Sequence, residues 1–117
     1  MRTSFSCAFL SLAMLAGCAS DPAPYEQLKI TEQAVAQAHA SGVVPQASEL
    51  RMAEAKLAKA QVAMHKKDYR EARLLAEEAE LDARLAEARV LNEKSQLQLS
   101  ELNRRIAQLR EQLGAVQ

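Results

Sequence analysis

The sequence has few of the residues from which a compact globular core is usually built. Of its 117 residues none is tryptophan, two are tyrosine and two are phenylalanine, and glycine and proline occur three times each. Large aromatic side chains commonly fill globular cores, so their scarcity argues against a core of that kind. The chain is instead rich in Ala, Leu, Glu, Gln, Arg and Lys, a composition typical of long helices and coiled coils.

The chain also lacks an excess of charge of either sign. Fifteen basic residues balance fifteen acidic ones, and the formal net charge is zero. This balance argues against nucleic-acid binding and against a polybasic contact with a membrane surface. Cysteine occurs only twice, at Cys7 and Cys18, both close to the N-terminus.

An apolar segment of the length of a signal-peptide core lies near the start of the chain. Residues 5–16 carry no charge and fall short of the roughly 20 residues that a membrane-spanning helix needs. The segment ends in Leu15-Ala16-Gly17-Cys18, which resembles the lipobox of bacterial lipoprotein precursors. The alternative is an ordinary secretory signal followed by an unrelated cysteine.

The lipobox resemblance implies that residues 1–17 are a cleaved lipoprotein signal peptide and that Cys18 begins the mature chain. Cys18 would then carry a diacylglycerol thioether and an amide-linked acyl chain, and several acyl chains together anchor a protein firmly. Because Cys7 leaves with the signal, the mature chain would keep no free thiol. The residue after the cysteine is Ala19, not the aspartate that favours inner-membrane retention in enterobacteria. We therefore expect the periplasmic face of the outer membrane, with the inner membrane as the alternative.

The rest of the chain reads as a lipidated tether, residues 18–24, followed by one Ala-rich helical domain, residues 25–117. Two prolines stiffen the tether. Breaks at Ser41-Gly42, Pro45 and Lys66-Lys67 divide the domain. The predicted helices span about 25–40, 46–66 and 69–113.

The sequence between the second and third helices predicts a tight turn. Asp68 is an expected N-cap, and Glu71 lies three residues later, as in a capping box. A turn of this kind places the two helices antiparallel. The predicted fold class is therefore all-α: an antiparallel helical hairpin with a preceding short helix and a long, coiled-coil-like C-terminal helix.

The third helix carries two apolar stripes. One consists of small residues and should pack closely on the second helix; its members are Ala72, Ala76, Ala79, Ala83, Ala86 and Val90. The other consists of larger residues in 3-4 steps and comprises Leu74, Leu81, Leu85, Ala88, Leu99, Leu102, Ile106, Leu109 and Leu113. Asn92 and Ser95 interrupt the larger stripe.

The third helix is about twice as long as the second, so its C-terminal part should extend beyond the hairpin. Exposed rows of large aliphatic side chains commonly mark interaction surfaces. We expect this overhang to self-associate as a short coiled coil or to dock another envelope protein, although two apolar heptads are few and fraying is the alternative. The predicted interface consists of Leu97, Leu99, Leu102, Ile106, Leu109 and Leu113.

The alanine pattern between residues 45 and 90, with Asp68-Tyr69 at the turn, resembles small Gram-negative lipoproteins that carry an Ala-rich helical domain of unknown function. In some of them that domain precedes an OmpA-like peptidoglycan-binding module, which we do not expect here. The turn also resembles half a tetratricopeptide repeat, but no second copy is apparent. The major peptidoglycan-linked outer-membrane lipoprotein is a further comparison; because this chain ends in Gln117 and not lysine, no covalent peptidoglycan link is expected.

No pattern in the sequence indicates a catalytic or metal site. His39 and His65 have no partners at metal-ligand spacing. The acidic run Glu77, Glu78, Glu80 and Asp82 is expected to be a solvated face. We therefore predict a non-enzymatic, lipid-anchored structural or adaptor protein without a cofactor, and a tethered periplasmic ligand- or peptide-binding module as the alternative.

Overall fold

A computed structural model describes residues 21–115, and all regular secondary structure within that range is helical. Helix α1 spans Tyr25–Ala40, α2 spans Ser48–His65 and α3 spans Tyr69–Gly114. The predicted all-α fold class is thereby confirmed, including the short first helix and the long C-terminal one. The predicted signal peptide and lipobox lie outside the described residues, as do the first three residues of the predicted tether, 18–20.

The three helices pack side by side over the first half of α3. Helix α2 runs antiparallel to α3, as predicted for a hairpin, since Glu49 near the start of α2 contacts Arg89 whereas Lys56 contacts Asp82. Helix α1 runs parallel to α3: Gln27 donates a hydrogen bond to Glu80, and further along Gln37 donates to Glu87. The bundle therefore covers α3 on two sides up to about residue 90.

Both interhelical turns end the preceding helix with the same backbone motif. After α1, the N–H of Gly42 donates to His39 O (3.1 Å) and that of Val43 donates to Ala38 O (3.3 Å). Gly42 has φ of +88°, a conformation that glycine adopts without a steric penalty. The predicted end of this helix at Ser41-Gly42 is thus the observed one.

The second helix begins two residues later than predicted. The carbonyl of Val44 accepts a hydrogen bond from the N–H of Ala47 at 2.9 Å, which closes a turn with Pro45 at its second position. Proline is favoured at that position because its φ is already fixed near the value that the turn requires. The turn consumes residues 46 and 47 and delays α2 to Ser48.

The α2–α3 turn uses a lysine where the α1–α2 turn uses glycine. Lys67 has φ of +62°, and the N–H groups of Lys67 and Asp68 donate to Met64 O and Ala63 O at 3.0 Å each. The Asp68 carboxylate then caps α3 by accepting from the N–H of Glu71 at 3.3 Å. The predicted N-cap is therefore formed, while Asp68 N–H is already bound to α2 and leaves no reciprocal bond for the Glu71 side chain.

The bundle core consists mostly of alanine. The small stripe of α3 faces inward as predicted, with Ala72, Ala76, Ala79, Ala83 and Ala86 all buried. Leu50 of α2 is the largest fully buried side chain, and Thr31 of α1 is fully buried among the alanines. The Thr31 hydroxyl lies 2.9 Å from Ala76 O and 2.9 Å from Gln27 O, so this buried polar group has hydrogen-bond partners. Small side chains allow the helix axes to approach closely.

Within residues 21–115, no helix is both long enough and apolar enough to cross a membrane.

Candidate interaction surface

The packing on α3 stops abruptly near residue 90. Val90 is half-buried, whereas every residue from Leu91 to Ala115 is exposed except Glu101, which is half-buried. The helix nevertheless continues to Gly114, about 36 Å beyond Val90 at 1.5 Å per residue. The predicted overhang is therefore present in the structure, and no other described segment covers it.

All six residues of the predicted interface are exposed side chains on this overhang. Their exposed fractions lie between 45% for Ile106 and 70% for Leu113. The exposure itself follows from the lengths of the helices, because α2 begins beside Arg89 and α1 ends at Ala40. Nothing within residues 21–115 is left to reach further.

The overhang residues divide into two groups by their direction. At about 100° per residue, five of them lie within a narrow arc of α3: Leu99, Leu102, Ile106, Leu109 and Leu113. Leu97 points to the opposite side, on the same face as the buried Ala83 and Val90. The sequence prediction grouped it with the other five because it is apolar and close in sequence.

The exposed stripe is longer than the overhang. Leu74, Leu81 and Leu85 are 51%, 67% and 45% exposed, and they lie on the back of α3, away from α1 and α2. The sequence placed these leucines in the same 3-4 register as the overhang but treated only the overhang as uncovered. We call the complete set the outer stripe; it comprises Leu74, Leu81, Leu85, Ala88, Leu99, Leu102, Ile106, Leu109 and Leu113.

Leu97 instead lines a concavity where the α1–α2 turn meets α3. Its volume is about 330 Å³, and its apolar lining includes Val43, Val44, Val90 and Leu97. Charged groups border it, among them Lys94, whose Nζ donates to the carbonyl of Ser41 at 2.7 Å. The sequence did not indicate this concavity, because it depends on how the turn is placed against α3.

The predicted solvated face of Glu77, Glu78, Glu80 and Asp82 is wrong for three of the four, because Glu78, Glu80 and Asp82 are half-buried and contact the neighbouring helices. Lys56 Nζ lies 2.8 Å from Asp82 Oδ2 and 3.2 Å from Glu78 Oε2. These contacts, with Asp82 first and Glu78 second, raise the pKa of Lys56 above its usual value. Glu80 binds Arg84 and accepts a hydrogen bond from Gln27 at 2.7 Å. Three of the four clustered carboxylates therefore have cationic or donor partners, as expected for structural groups.

Two further carboxylates, those of Glu49 and Glu87, lie where α1 and α2 stop covering α3. The Ser41 hydroxyl, with the Gln37 amide second, lowers the pKa of Glu87, and the Ser41 Oγ–Glu87 Oε1 distance is 2.7 Å. The pKa of Glu49 is lowered mainly by its own backbone N–H at the start of α2 and next by the Ser48 hydroxyl. Each hydrogen bond favours the ionised form of the carboxyl.

The histidines show no arrangement suited to a metal. His39 Nε2 lies 2.9 Å from Glu54 Oε1 across α1 and α2, and both side chains are exposed. In the part of the chain that the structure describes, no three His, Cys, Asp or Glu side chains come together as potential metal ligands.

Comparison with known proteins gives a family. None of the curated proteins matches the chain. The chain is 53% identical to a DUF4398 family protein from Pseudomonas aeruginosa PAO1 whose crystal structure is known; the TM-score is 0.76, and the match covers 82% of this chain and all of the crystallised one. The model of the domain of unknown function DUF4398 matches residues 26–102. On both grounds the chain belongs to the DUF4398 family.

Proposed function

We propose that this protein is a non-enzymatic, membrane-anchored lipoprotein that acts as an envelope structural or adaptor protein through helix–helix association. The observation that carries the proposal is the outer stripe: a row of leucines, one isoleucine and one alanine that the bundle leaves uncovered. An exposed aliphatic row of this length is costly in water. It is therefore best explained as a surface that a helix of a partner covers.

The proposed anchor is Cys18, modified with a diacylglycerol thioether and an amide-linked acyl chain. The described part of the tether supports a defined orientation, since the carbonyl of Pro22 accepts a hydrogen bond from Arg73 at 3.4 Å. The tether thus leaves the bundle beside the start of α3. The overhang lies at the other end of the same helix, and its tip at Gly114 is roughly 60 Å away.

The proposed location is the periplasmic face of the outer membrane, on the basis of Ala19 after the lipobox cysteine, and the inner membrane is the less favoured alternative. The proposed partners are a second copy or another envelope protein, with no nucleic acid and no covalent link to peptidoglycan. No cofactor other than the covalent lipid is proposed. The ion-paired state of Glu78, Glu80 and Asp82 supports a structural use of the acidic cluster.

The anchor and the association can be tested in the same cells. Replacing Cys18→Ser should release the protein from the membrane fraction, since the lipid supplies the anchor. Photo-crosslinkers placed at Leu99, Leu102 or Ile106 of the full chain should capture a partner, whereas one at Gln108, on the polar face of α3, should not. Membrane retention of Cys18→Ser would contradict the anchor, and equal labelling at all four positions would contradict the interaction surface.

The concavity at Leu97 favours a second candidate function, a tethered module that binds an apolar ligand or peptide end. Its volume of about 330 Å³ is at the small end of ligand sites, and its mouth is open. Native mass spectrometry of the protein purified from its own envelope tests this alternative. A retained small molecule that is lost in Leu97→Gln but kept in Leu102→Gln would favour it over the adaptor function.

A further inference from the structure

The outer stripe follows one heptad register over 40 residues, from Leu74 to Leu113. The a and d positions of this register together form what we call the seam, which includes the polar residues between the members of the outer stripe. The a positions of the register are Glu78, Leu85, Asn92, Leu99, Ile106 and Leu113. Its d positions are Leu74, Leu81, Ala88, Ser95, Leu102 and Leu109. All of these side chains are exposed except Glu78, which is half-buried. The register extends over nearly six heptads, but Glu78, Asn92 and Ser95 interrupt it, and only the two heptads from Leu99 to Leu113 are apolar throughout. A partner helix therefore has to match the polar positions as well as the apolar ones.

We propose that the occupant of the outer stripe is a second copy of this chain, bound antiparallel along the whole of α3. The inference rests on the proposed helix–helix association and specifies its partner. In this arrangement the overhang of each copy covers the back of the bundle of the other copy. The apolar, polar and charged residues along the seam complement those of a second, antiparallel copy.

One antiparallel register matches the pattern to itself. When Leu85 faces Leu102 of the second copy, Leu81 faces its Ile106 and Leu74 faces its Leu113. In the same register Asn92 faces Ser95 of the second copy. The two polar positions that interrupt the stripe therefore meet each other and can form a hydrogen bond. Two layers match less well, because Ala88 faces the larger Leu99 and the carboxylate of Glu78 faces the apolar Leu109.

The neighbouring antiparallel registers lose this match. A shift of one heptad in one direction places Leu85 opposite Ser95. A shift in the other direction places Leu99 opposite Ser95 and Asn92 opposite Leu102. Each shift buries a polar side chain against an apolar one, which is unfavourable without a hydrogen-bond partner. The self-matching register has only one contact of this kind, between Glu78 and Leu109, and is thus the one that the seam favours.

Charge disfavours the parallel alternative. In a parallel dimer the g position of one helix lies near the following e position of the other, and these positions set the orientation of a coiled coil. Of the five parallel pairs, the three that are charged are all of like charge: Glu77 with Asp82, Arg84 with Arg89, and Arg105 with Arg110. Glu78 would also face Glu78 at an a position. In a parallel dimer Asn92 could form a hydrogen bond with Asn92 of the second copy. The antiparallel dimer offers Asn92 an equivalent partner in Ser95, so this residue does not favour the parallel form.

The antiparallel register brings only one like-charged pair together, Arg84 with Arg105 of the second copy. Each of these arginines already has a carboxylate four residues earlier on its own helix: Glu80 beside Arg84, and Glu101 beside Arg105 at 2.8 Å. The other flanking contacts pair a charged or apolar residue with a neutral amide, such as Glu77 with Gln112, except for Leu75, which lies near Arg110.

The arrangement has a consequence for anchoring. The tether leaves each copy near Arg73, and in the antiparallel dimer the two tethers leave from opposite ends of the seam, roughly 60 Å apart. Two lipid anchors at that separation would hold the dimer along the membrane surface and not upright from it.

Disulfide trapping between single-cysteine variants tests the pairing. Residues 21–117 contain no cysteine, and the three described helices all lie within this range. Leu85→Cys and Leu102→Cys are prepared in this form, mixed and oxidised. Both positions are exposed, so the bundle should fold in each variant. We expect the mixed Leu85→Cys/Leu102→Cys dimer, and little homodimer of either variant alone.

The matched control is Leu97→Cys, which lies on the opposite face of α3 and should crosslink with neither variant. Homodimers of Leu85→Cys and of Leu102→Cys that exceed the mixed species would overturn the antiparallel register in favour of a parallel one. Absence of all three dimers would overturn the second copy as occupant. If a crosslinker at Leu102 still captures another protein in cells, the proposed adaptor function stands and this inference alone fails.

Discussion

The two faces of α3 are built from different residues, and the fold uses them differently. The inner face carries alanine at five buried positions between Ala72 and Ala86, and α1 and α2 pack against it. The outer face carries leucine and isoleucine, and nothing within residues 21–115 covers it. Small side chains bring helices of the same chain together, while the large ones remain available to another molecule. The same substitution should therefore affect the stability of the fold on the inner face and association with another molecule on the outer face.

The largest effect is expected from removing bulk inside the bundle. Leu50→Ala should destabilise the protein by about 2–5 kcal/mol, because Leu50 is fully buried and the substitution leaves a cavity. Leu102→Ala removes the same atoms from the outer stripe and should leave the stability of the isolated chain nearly unchanged. Urea denaturation at low protein concentration measures both. Similar losses in the two variants would mean that the overhang belongs to the folded core.

Adding bulk should have the next largest effect, again on one face only. Ala83→Leu inserts a large side chain between helices that approach closely and should cost about 1–3 kcal/mol. Ala88→Leu makes the same change on the exposed outer face and should be nearly neutral for folding while strengthening association. The comparison is made by thermal denaturation and by the concentration dependence of the mass. A tolerated Ala83→Leu would show that the alanine face is not closely packed.

The two turns offer a smaller, stabilising change. Lys67 occupies the left-handed position that Gly42 occupies in the other turn. Lys67→Gly should therefore stabilise the bundle by about 0.5–1 kcal/mol, since glycine adopts this conformation without the steric penalty. Gly42→Lys is the reverse control and should destabilise. Equal stability of Lys67→Gly and the unchanged chain would show that the turn tolerates lysine at no cost.

The smallest effect on stability is expected from the ionisation of Glu49 and Glu87, where α1 and α2 stop covering α3. The pKa of Glu87 and of Glu49 is lowered in the folded chain, so ionisation of both favours folding. That contribution is present above the unfolded pKa of about 4.5 and is lost as the pH falls through the lower folded values. Glu87→Gln should weaken the loss of stability in acid. An unchanged pH dependence of the urea midpoint would show that the Ser41–Glu87 contact does not favour the ionised form.

The sequence predicts the parts of the fold that local signals determine. Gly42 and Asp68 gave helix ends that the structure reproduces, and the alanine spacing gave the buried face of α3. The observed start of α2 lies two residues after the predicted one, because Pro45 closes a turn before the helix. The buried hydrogen bond of Thr31 to Ala76 could not be foreseen, since it depends on the direction in which α1 returns along α3.

The candidate surface was predictable only in part. The predicted lengths of the second and third helices were enough to show that the overhang extends beyond the hairpin. Leu97 was grouped with Leu99, although two residues on a helix differ by about 200°, and the angle alone could have separated them. The exposure of Leu74, Leu81 and Leu85 could be recognised only from the structure. The sequence does not show on which sides of α3 the other helices pack.

The most direct test of the central claim, that the outer stripe is an association surface, is the mass in solution of residues 21–117 compared with residues 21–95. Sedimentation equilibrium over a range of concentrations measures both. The shortened chain keeps the bundle and loses the overhang. We predict a dimer for residues 21–117 and a monomer for residues 21–95. Monomeric masses for both chains at every concentration would contradict self-association through this surface.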